Sequence, residues 1–177
     1  MEILKLINSG SQHLKNSNIY SHKLDSEILL SKVLNRRREE LLVNLNQVVK
    51  IAKIKKFNEL LQRRSSREPV AYILKEKEFW SKNFIVNKNT LIPRPETELL
   101  VEKIVKIFKE RSVFILDIGT GTGCILLSIL SELKNSKGIG IDICQKAIQV
   151  AKLNLLKHKL SSKIKFFRKG LNQIYNQ

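Results

Sequence analysis

The stretch ILDIGTGTG, residues 115–123, predicts a strand, a tight glycine turn and a helix. An apolar run at 113–116 leads into an acidic residue and three glycines at alternate positions, and an apolar segment at 124–130 follows at once. Glycine allows positive φ and lets a ligand approach the backbone without a Cβ in the way. The start of the helix adds unpaired N–H groups. We therefore expect this stretch to bind a nucleotide-like cofactor.

The spacing of the glycines indicates which cofactor. They read G-x-G-x-G, whereas the dinucleotide fingerprint is G-x-G-x-x-G. Asp117 precedes Gly119 by two residues, and a carboxylate there suits a ligand with a positive amino group better than a pyrophosphate, which it would repel. Asp142 ends a second apolar run, where an acidic residue about 20 positions beyond the glycines binds ribose hydroxyls. The pattern resembles motif I of the class I S-adenosylmethionine-dependent methyltransferases. The alternative is a glycine-rich turn that binds nothing.

Length and composition are those of an ordinary globular protein. The chain has 177 residues, 42% of them hydrophobic, which is enough for one domain or two small ones. No apolar run approaches the about 18 residues of a membrane span, and the N-terminus lacks the features of a signal peptide. We therefore expect a cytoplasmic protein without membrane contact. Cys124 and Cys144 have no Cys or His partners at zinc spacing, so no metal site is predicted.

The formal net charge of +17 suggests affinity for nucleic acid, but the charge is spread evenly. Residues 1–72 carry 14 basic and 7 acidic side chains, and residues 73–177 carry 19 and 9. Lys, Ile and Asn are abundant, as an AT-rich genome would produce. We expect no specific nucleic-acid binding. One local imbalance remains, because residues 143–177 contain eight Lys or Arg and no acidic side chain.

The chain divides by pattern into three parts. Residues 1–72 predict a bundle of four or five helices, because apolar residues recur near the helical period between polar breaks. Residues 73–96 predict a β-hairpin linker that turns around Ser81-Lys82-Asn83. Residues 97–177 begin with a helix from Glu98 to Glu110 and then alternate strands and helices.

This alternation predicts half of a doubly wound parallel sheet. The expected order is βαβαβ, with strands at 113–118, 138–143 and 163–168 and helices at 123–134 and 145–159.

Four strings of the sequence resemble the release-factor glutamine methyltransferases, the HemK/PrmC family. They are REPVAYIL at 67–74, EFW at 78–80, LIPRPETE at 91–98 and LDIGTGTG at 116–123. They occur in the family's order and at its separations, and the likeness runs from about residue 24 to residue 167. The first and third strings are far more specific than the glycine turn.

The resemblance implies an α/β protein with a helical domain, 1–72, that docks a class 1 peptide chain release factor. Residues 97–177 would form the first half of a class I methyltransferase Rossmann-like sheet. The implied reaction transfers a methyl group from S-adenosylmethionine to the glutamine side chain of a Gly-Gly-Gln motif in the release factor. We expect the protein to be a monomer.

The same resemblance assigns site residues. The glycine turn would line the methionine part of the cofactor, Asp117 would lie near its amino group, and Asp142 would hold the ribose. The expected cofactor-binding set is Asp117, Gly119, Thr120, Gly121, Thr122, Gly123 and Asp142. A rigid segment would border the substrate site or serve as an interdomain linker; it consists of Pro93, Arg94, Pro95 and Glu96.

The sequence departs from the family pattern in two places. The family's acidic–aromatic pair, which contacts adenine, aligns with Gly170 and Leu171. The family's catalytic Asn-Pro-Pro-Tyr follows its fourth strand, and no Asn-Pro-Pro occurs in these 177 residues. We therefore expect a C-terminally truncated family member, from a fragmentary gene, a frameshift or cloning. It would have no catalytic residue of its own and would be inactive alone.

Two alternatives stay open. The chain could be a non-catalytic remnant that still binds a release factor, or a related amino-methyltransferase that acts on nucleic acid. The helical domain and the LIPRPETE string favour the release-factor interpretations. The nucleotide sequence beyond codon 177 would distinguish a fragment from a remnant.

Overall fold

Two units make up the chain in a computed structural model that describes residues 1–173. The first unit is Met1–Leu74, and the second begins at Lys75. Each unit has its own hydrophobic core.

Five helices form the first unit, which confirms the expected four or five. They are α1 Ile3–Asn16, α2 His22–Leu34, α3 Arg38–Val43, α4 Ile51–Ser65 and α5 Val70–Leu74. The buried residues of α1 follow the helical period, as an amphipathic helix requires: Ile3, Leu6, Ile7, Gly10 and Leu14. A Cβ at Gly10 would lie 2.6 Å from Ser26 Oγ and 2.7 Å from Phe57 Cζ, so glycine allows α1 to approach α2 and α4 closely.

Two ion pairs hold α2 against its neighbours. The buried Asp25 accepts hydrogen bonds from Arg64 Nε at 2.7 Å and Ser21 Oγ at 2.7 Å. The buried Glu27 accepts one from Arg38 Nε at 2.7 Å. Both carboxylates are paired, as buried charges must be.

A β-hairpin opens the second unit, as expected, but the expected turn is wrong. Strands β1 Glu76–Phe79 and β2 Lys82–Ile85 pair antiparallel, with Phe79 opposite Lys82. The turn is therefore Trp80–Ser81, both at φ 52°, and not Ser81-Lys82-Asn83. A two-residue hairpin turn of this kind requires positive φ at both positions.

Two carboxylates hold Trp80 in this turn. Its backbone N–H donates to Glu98 Oε1 at 3.0 Å, and its indole N–H donates to Glu132 Oε1 at 3.0 Å. Both acceptors are distant in sequence, which is why local pattern did not place the turn.

The rest of the second unit confirms the expected βαβαβ order. Its elements are α6 Glu98–Phe108, β3 Phe114–Ile118, α7 Cys124–Glu132, β4 Lys137–Asp142, α8 Gln145–Lys157 and β5 Ile164–Arg168. The strands are parallel in the order β3-β4-β5. The ends of these helices and strands differ from the expected ends by one or two residues. Gly123, for example, has φ 77° and so lies before α7 instead of in it.

The two faces of this sheet differ. One face packs against α7 and α8 through a core that includes Leu126, Leu130, Ile148, Ala151 and Phe166. On the other face, Phe114, Leu116 and Ile118 are 66%, 43% and 52% exposed. Among residues 1–173, β3 pairs with β4 alone, so it is an edge strand. Parallel sheets usually bury both faces, so this half-covered sheet is unusual.

Candidate cofactor site

The glycine turn joins β3 to α7 and leaves room for a ligand at its first two glycines. Gly119 and Gly121 have φ 77° and 55°. A Cβ at Gly119 would meet no atom within 4 Å, and one at Gly121 would meet only Gly119 O, at 3.9 Å. The backbone here is both left-handed and open, which is the combination that glycine supplies for close ligand approach.

The third glycine serves packing. A Cβ at Gly123 would lie 2.8 Å from Phe166 Cζ, and one at Gly140 would lie 2.4 Å from Phe166 Cε1. The ring of Phe166 therefore fills the space beneath the turn and beside β4. Gly123 and Thr122 are buried, whereas Gly119 is exposed.

The turn is fixed to the end of β4. The N–H groups of Gly119 and Thr120 both donate to Ile141 O at 2.9 Å. The N–H of Gly123 donates to Thr120 O at 2.8 Å and closes the turn on itself. The backbone of the turn is thus organised without a ligand.

Asp142 stands at the centre of this arrangement. Its Oδ2 accepts a hydrogen bond from Gly121 N at 3.0 Å, and its Oδ1 accepts one from Cys144 N at 2.8 Å. The carboxylate therefore joins the tip of the glycine turn to the start of α8. Each oxygen can accept more than one hydrogen bond, so both keep acceptor capacity for a ligand hydroxyl.

Asp117 lies under the same turn. Thr120 Oγ1 donates to its Oδ2 at 2.6 Å. Burial raises the pKa of the Asp117 carboxyl above its usual value; the Thr120 bond lowers that pKa, and the nearby Asp142 raises it. A positive group next to Asp117 would relieve the cost of burying its charge. The site therefore favours a cation at this end.

Asn154 is a site residue that the sequence analysis missed. It is completely buried in α8 and bonds to Ile85 in β2 and to the carbonyl oxygen of Thr122 in the glycine turn. A signal was present, because Asn154 falls on the apolar stripe of α8 three and four residues after Ala151 and Val150. A carboxamide on a buried stripe needs polar partners.

The proline-bracketed segment lies between the hairpin and α6. Pro93 is buried, whereas Arg94, Pro95 and Glu96 are exposed. Pro95–Thr97 form a 3₁₀ turn, in which Thr97 N donates to Arg94 O at 3.0 Å. Among the described residues, neither Arg94 nor Glu96 forms an ion pair.

Gly170 and Leu171 follow β5, at the same end of the sheet as Asp142. A Cβ at Gly170 would lie 3.7 Å from Ile143 Cγ2, and Leu171 is 46% exposed. Gly170 N donates to Gln173 Oε1 at 3.0 Å, and neither position carries the acidic side chain that the family has there for adenine.

Residues 1–173 contain neither a membrane-spanning helix nor a group of metal ligands. No helix there is both long and apolar enough to cross a membrane. No group of three or more His, Cys, Asp or Glu side chains is arranged to hold a metal ion.

The parallel sheet and glycine turn define a partial Rossmann-like methyltransferase fold, which follows a helical N-terminal region in the sequence. Residues 109–174 match the family described as a methyltransferase domain, and residues 5–74 match the family described as the PrmC N-terminal domain. The chain thus matches both family models in part and is similar to release factor glutamine methyltransferases over most of its length.

Individual relatives show the extent of the likeness. The release factor glutamine methyltransferase of Buchnera aphidicola is 41% identical over 167 residues, which are 94% of this chain and 60% of that protein. The bifunctional methyltransferase of Rickettsia typhi is 38% identical over 92% of this chain and 35% of its own length. This chain therefore spans about a third to three fifths of such relatives. A solved O-methyltransferase family protein from Burkholderia thailandensis has 20% identity and a TM-score of 0.39, over 46% of this chain and 25% of that one.

Proposed function

We propose that residues 75–173 form the S-adenosylmethionine site of a release factor glutamine methyltransferase. The observation that carries this proposal is the position of Asp142. Its two oxygens organise the glycine turn and α8 while keeping acceptor capacity. Gly119 and Gly121, the glycines of that turn, leave open space. An acceptor pair beside an open, preorganised backbone suits a nucleoside with free ribose hydroxyls.

The residues present fit the ribose and the methionine part of this cofactor. S-adenosylmethionine, when bound, supplies a methyl group on a positively charged sulfur. Asp142 would accept hydrogen bonds from the ribose hydroxyls, and the turn at Gly119 and Gly121 would contact the ligand through its backbone. Asp117 would face the amino group, whose positive charge offsets the cost of its buried carboxylate. Thr120 would keep Asp117 oriented through its 2.6 Å bond.

We propose the glutamine of the Gly-Gly-Gln motif in a class 1 release factor as the substrate. The named homologues and the match of residues 5–74 support this choice. Arg94 and Glu96, which are exposed and form no ion pair within residues 1–173, lie on a segment stiffened by two prolines and would border the substrate. Such a substrate would place the protein in the cytoplasm.

We expect these 177 residues to bind the cofactor without transferring its methyl group. An amide nitrogen is a poor nucleophile, because its lone pair is delocalised into the carbonyl. The Asn-Pro-Pro-Tyr of the resembled family accepts the amide hydrogens and orients the nitrogen, and no Asn-Pro-Pro is present here. Orientation of this kind is worth up to about 7–11 kcal/mol of barrier lowering.

Ligand selectivity tests the cofactor assignment. We expect S-adenosylmethionine and S-adenosylhomocysteine to bind with comparable affinity, and NAD to bind at least about tenfold more weakly, because Asp117 repels a pyrophosphate. Preference for NAD would overturn the assignment.

Methyl transfer tests the expected inactivity. The purified chain, mixed with a class 1 release factor and methyl-labelled cofactor, should transfer no label, whereas a full-length relative should transfer it. If this chain does transfer label, and if Gly121→Asp abolishes that transfer, then another residue must position the amide.

A further inference from the structure

The side chain of Asn154 makes three hydrogen bonds in a completely buried position. Its Oδ1 accepts from Ile85 N at 2.7 Å, and its Nδ2 donates to Ile85 O at 3.0 Å and to Thr122 O at 2.9 Å. Both amide hydrogens are used, and the oxygen faces an N–H group. This arrangement fixes the orientation of the carboxamide, because the flipped amide would place like groups against each other.

The partners of Asn154 belong to two separate segments. Ile85 is the last residue of β2, and Asn154 satisfies both its N–H and its C=O, as a neighbouring strand would. Thr122 lies in the glycine turn, between the open Gly121 and the packed Gly123. One side chain therefore ties the hairpin and the glycine turn to α8.

The glycine turn is consequently held at two places, by Asp142 at the end of β4 and by Asn154 in α8. Asp142 joins Gly121 N to Cys144 N at the start of the helix. Asn154, in the last turn of α8, donates from its Nδ2 to the carbonyl oxygen of Thr122, the residue after Gly121. The two contacts fix consecutive residues of the turn, one by its N–H and one by its C=O.

We propose that Asn154 is a positioning residue for the glycine turn and couples that turn to the β-hairpin. This proposal rests on the function proposed above. Without the carboxamide, the part-buried Ile85 N and Ile85 O and the buried Thr122 O would lose these partners. The Thr122 carbonyl would then rotate to find another donor, and the Gly121 side of the turn would lose the geometry that a ligand meets.

The test compares two Asn154 variants with a control on the same helix. Asn154→Leu removes all three bonds, and Asn154→Asp keeps the shape and the acceptor but loses both donated bonds. Leu155→Ala is the control, because Leu155 is the neighbouring buried α8 residue and its apolar side chain forms no hydrogen bond to the glycine turn. All three variants are compared with the parent chain by ¹⁵N NMR, with and without S-adenosylmethionine.

Without ligand, both Asn154 variants should shift the Gly121 and Gly123 amide resonances, and Asn154→Leu should speed hydrogen exchange at Ile85. Leu155→Ala should change neither. With ligand, affinity should fall about tenfold, or 1.4 kcal/mol, in both Asn154 variants and stay within about twofold in the control. If Asn154→Leu fails to fold, Asn154→Asp supplies the comparison.

Two results would overturn the proposal. Faster exchange at Ile85 with unchanged turn resonances would make Asn154 an anchor of the hairpin alone. Equal loss of affinity in Leu155→Ala would make the effect one of general stability. If the parent chain binds no cofactor, the proposed function fails, while the resonances recorded without ligand still decide the role of Asn154.

Discussion

The helical unit and the sheet unit differ in how completely their own residues cover their apolar surfaces. In the helical unit, the exposed hydrophobic residues are distributed over several helices, and Leu4 of α1 and Leu24 of α2 line one pocket. In the sheet unit, three alternate residues of one strand, Phe114, Leu116 and Ile118, are exposed together. Helices joined by short loops bury their stripes on one another, whereas a parallel sheet needs layers on both faces. The helices of the first unit therefore cover one another around a shared core, whereas one face of β3 stays exposed.

The largest change in stability is expected on removing Arg64, the partner of the buried Asp25 in the helical unit. Arg64→Met should destabilise the first unit by about 3–5 kcal/mol, because it leaves the buried Asp25 without its cation. Ser21 still donates to Asp25, so the lower end of that range is expected. Denaturant unfolding measures the change. The matched double variant Asp25→Leu/Arg64→Met should recover most of the loss. A loss below about 1 kcal/mol for the single variant would show that the pair is solvated.

Hydrogen exchange should separate the two units directly. We expect amides of α1, α2 and α4 to exchange at least about tenfold more slowly than those of β3, β4 and β5, a difference of about 1.4 kcal/mol in opening free energy. The physical reason is the uncovered face and edge of β3. Equal and strong protection in both units would contradict the comparison.

A surface substitution should improve the behaviour of the sheet unit without stabilising it. Leu116→Lys interrupts the apolar row on β3 and should reduce self-association, because a charge on an exposed edge strand opposes strand pairing. The stability change should stay within about 0.5 kcal/mol, since Leu116 is already 43% exposed. Light scattering measures association. Tyr20→Lys, which adds the same charge at a fully exposed position of the helical unit, is the control and should leave association unchanged.

The smallest effect concerns pH. The ring of His158 lies 4.7 Å from that of Phe84, and its Nε2 is buried without a partner among residues 1–173. Desolvation lowers the pKa of His158 below 6.5, Lys157 and Lys82 lower it further, and the Asn83 backbone raises it.

The unfolded chain therefore binds more protons as the pH falls below 6.5, so the stability that the neutral ring contributes is present above 6.5 and lost below it. The thermal stability of the sheet unit should therefore fall as the pH decreases from about 7 to about 5. His158→Gln should remove that part of the pH dependence. An identical pH profile in the variant would exclude His158 as its source.

Sequence predicted most of the fold because its elements are encoded locally. The alternation of apolar runs gave the βαβαβ order, and the glycine turn and Asp142 were found by spacing alone. The misplaced hairpin turn and the missed Asn154 share one cause. Trp80 depends on Glu98 and Glu132, and Asn154 depends on Ile85 and Thr122, and all these partners are distant in sequence. Contacts of this kind follow from tertiary packing, which no local pattern reports.

The binding of S-adenosylmethionine, followed by NMR at the glycine turn, tests the proposed site most directly. Residues 1–173 provide no neighbour for β3 on the side away from β4, so only one wall of the ligand crevice is formed. We predict that the Gly119 and Gly121 amides shift with a dissociation constant nearer about 1 mM than 1 μM. Asp142→Ala should abolish the shifts, and Glu110→Ala, at an exposed acid outside the site, should preserve them. Absence of any shift at the turn, or shifts that survive Asp142→Ala, would contradict the assignment.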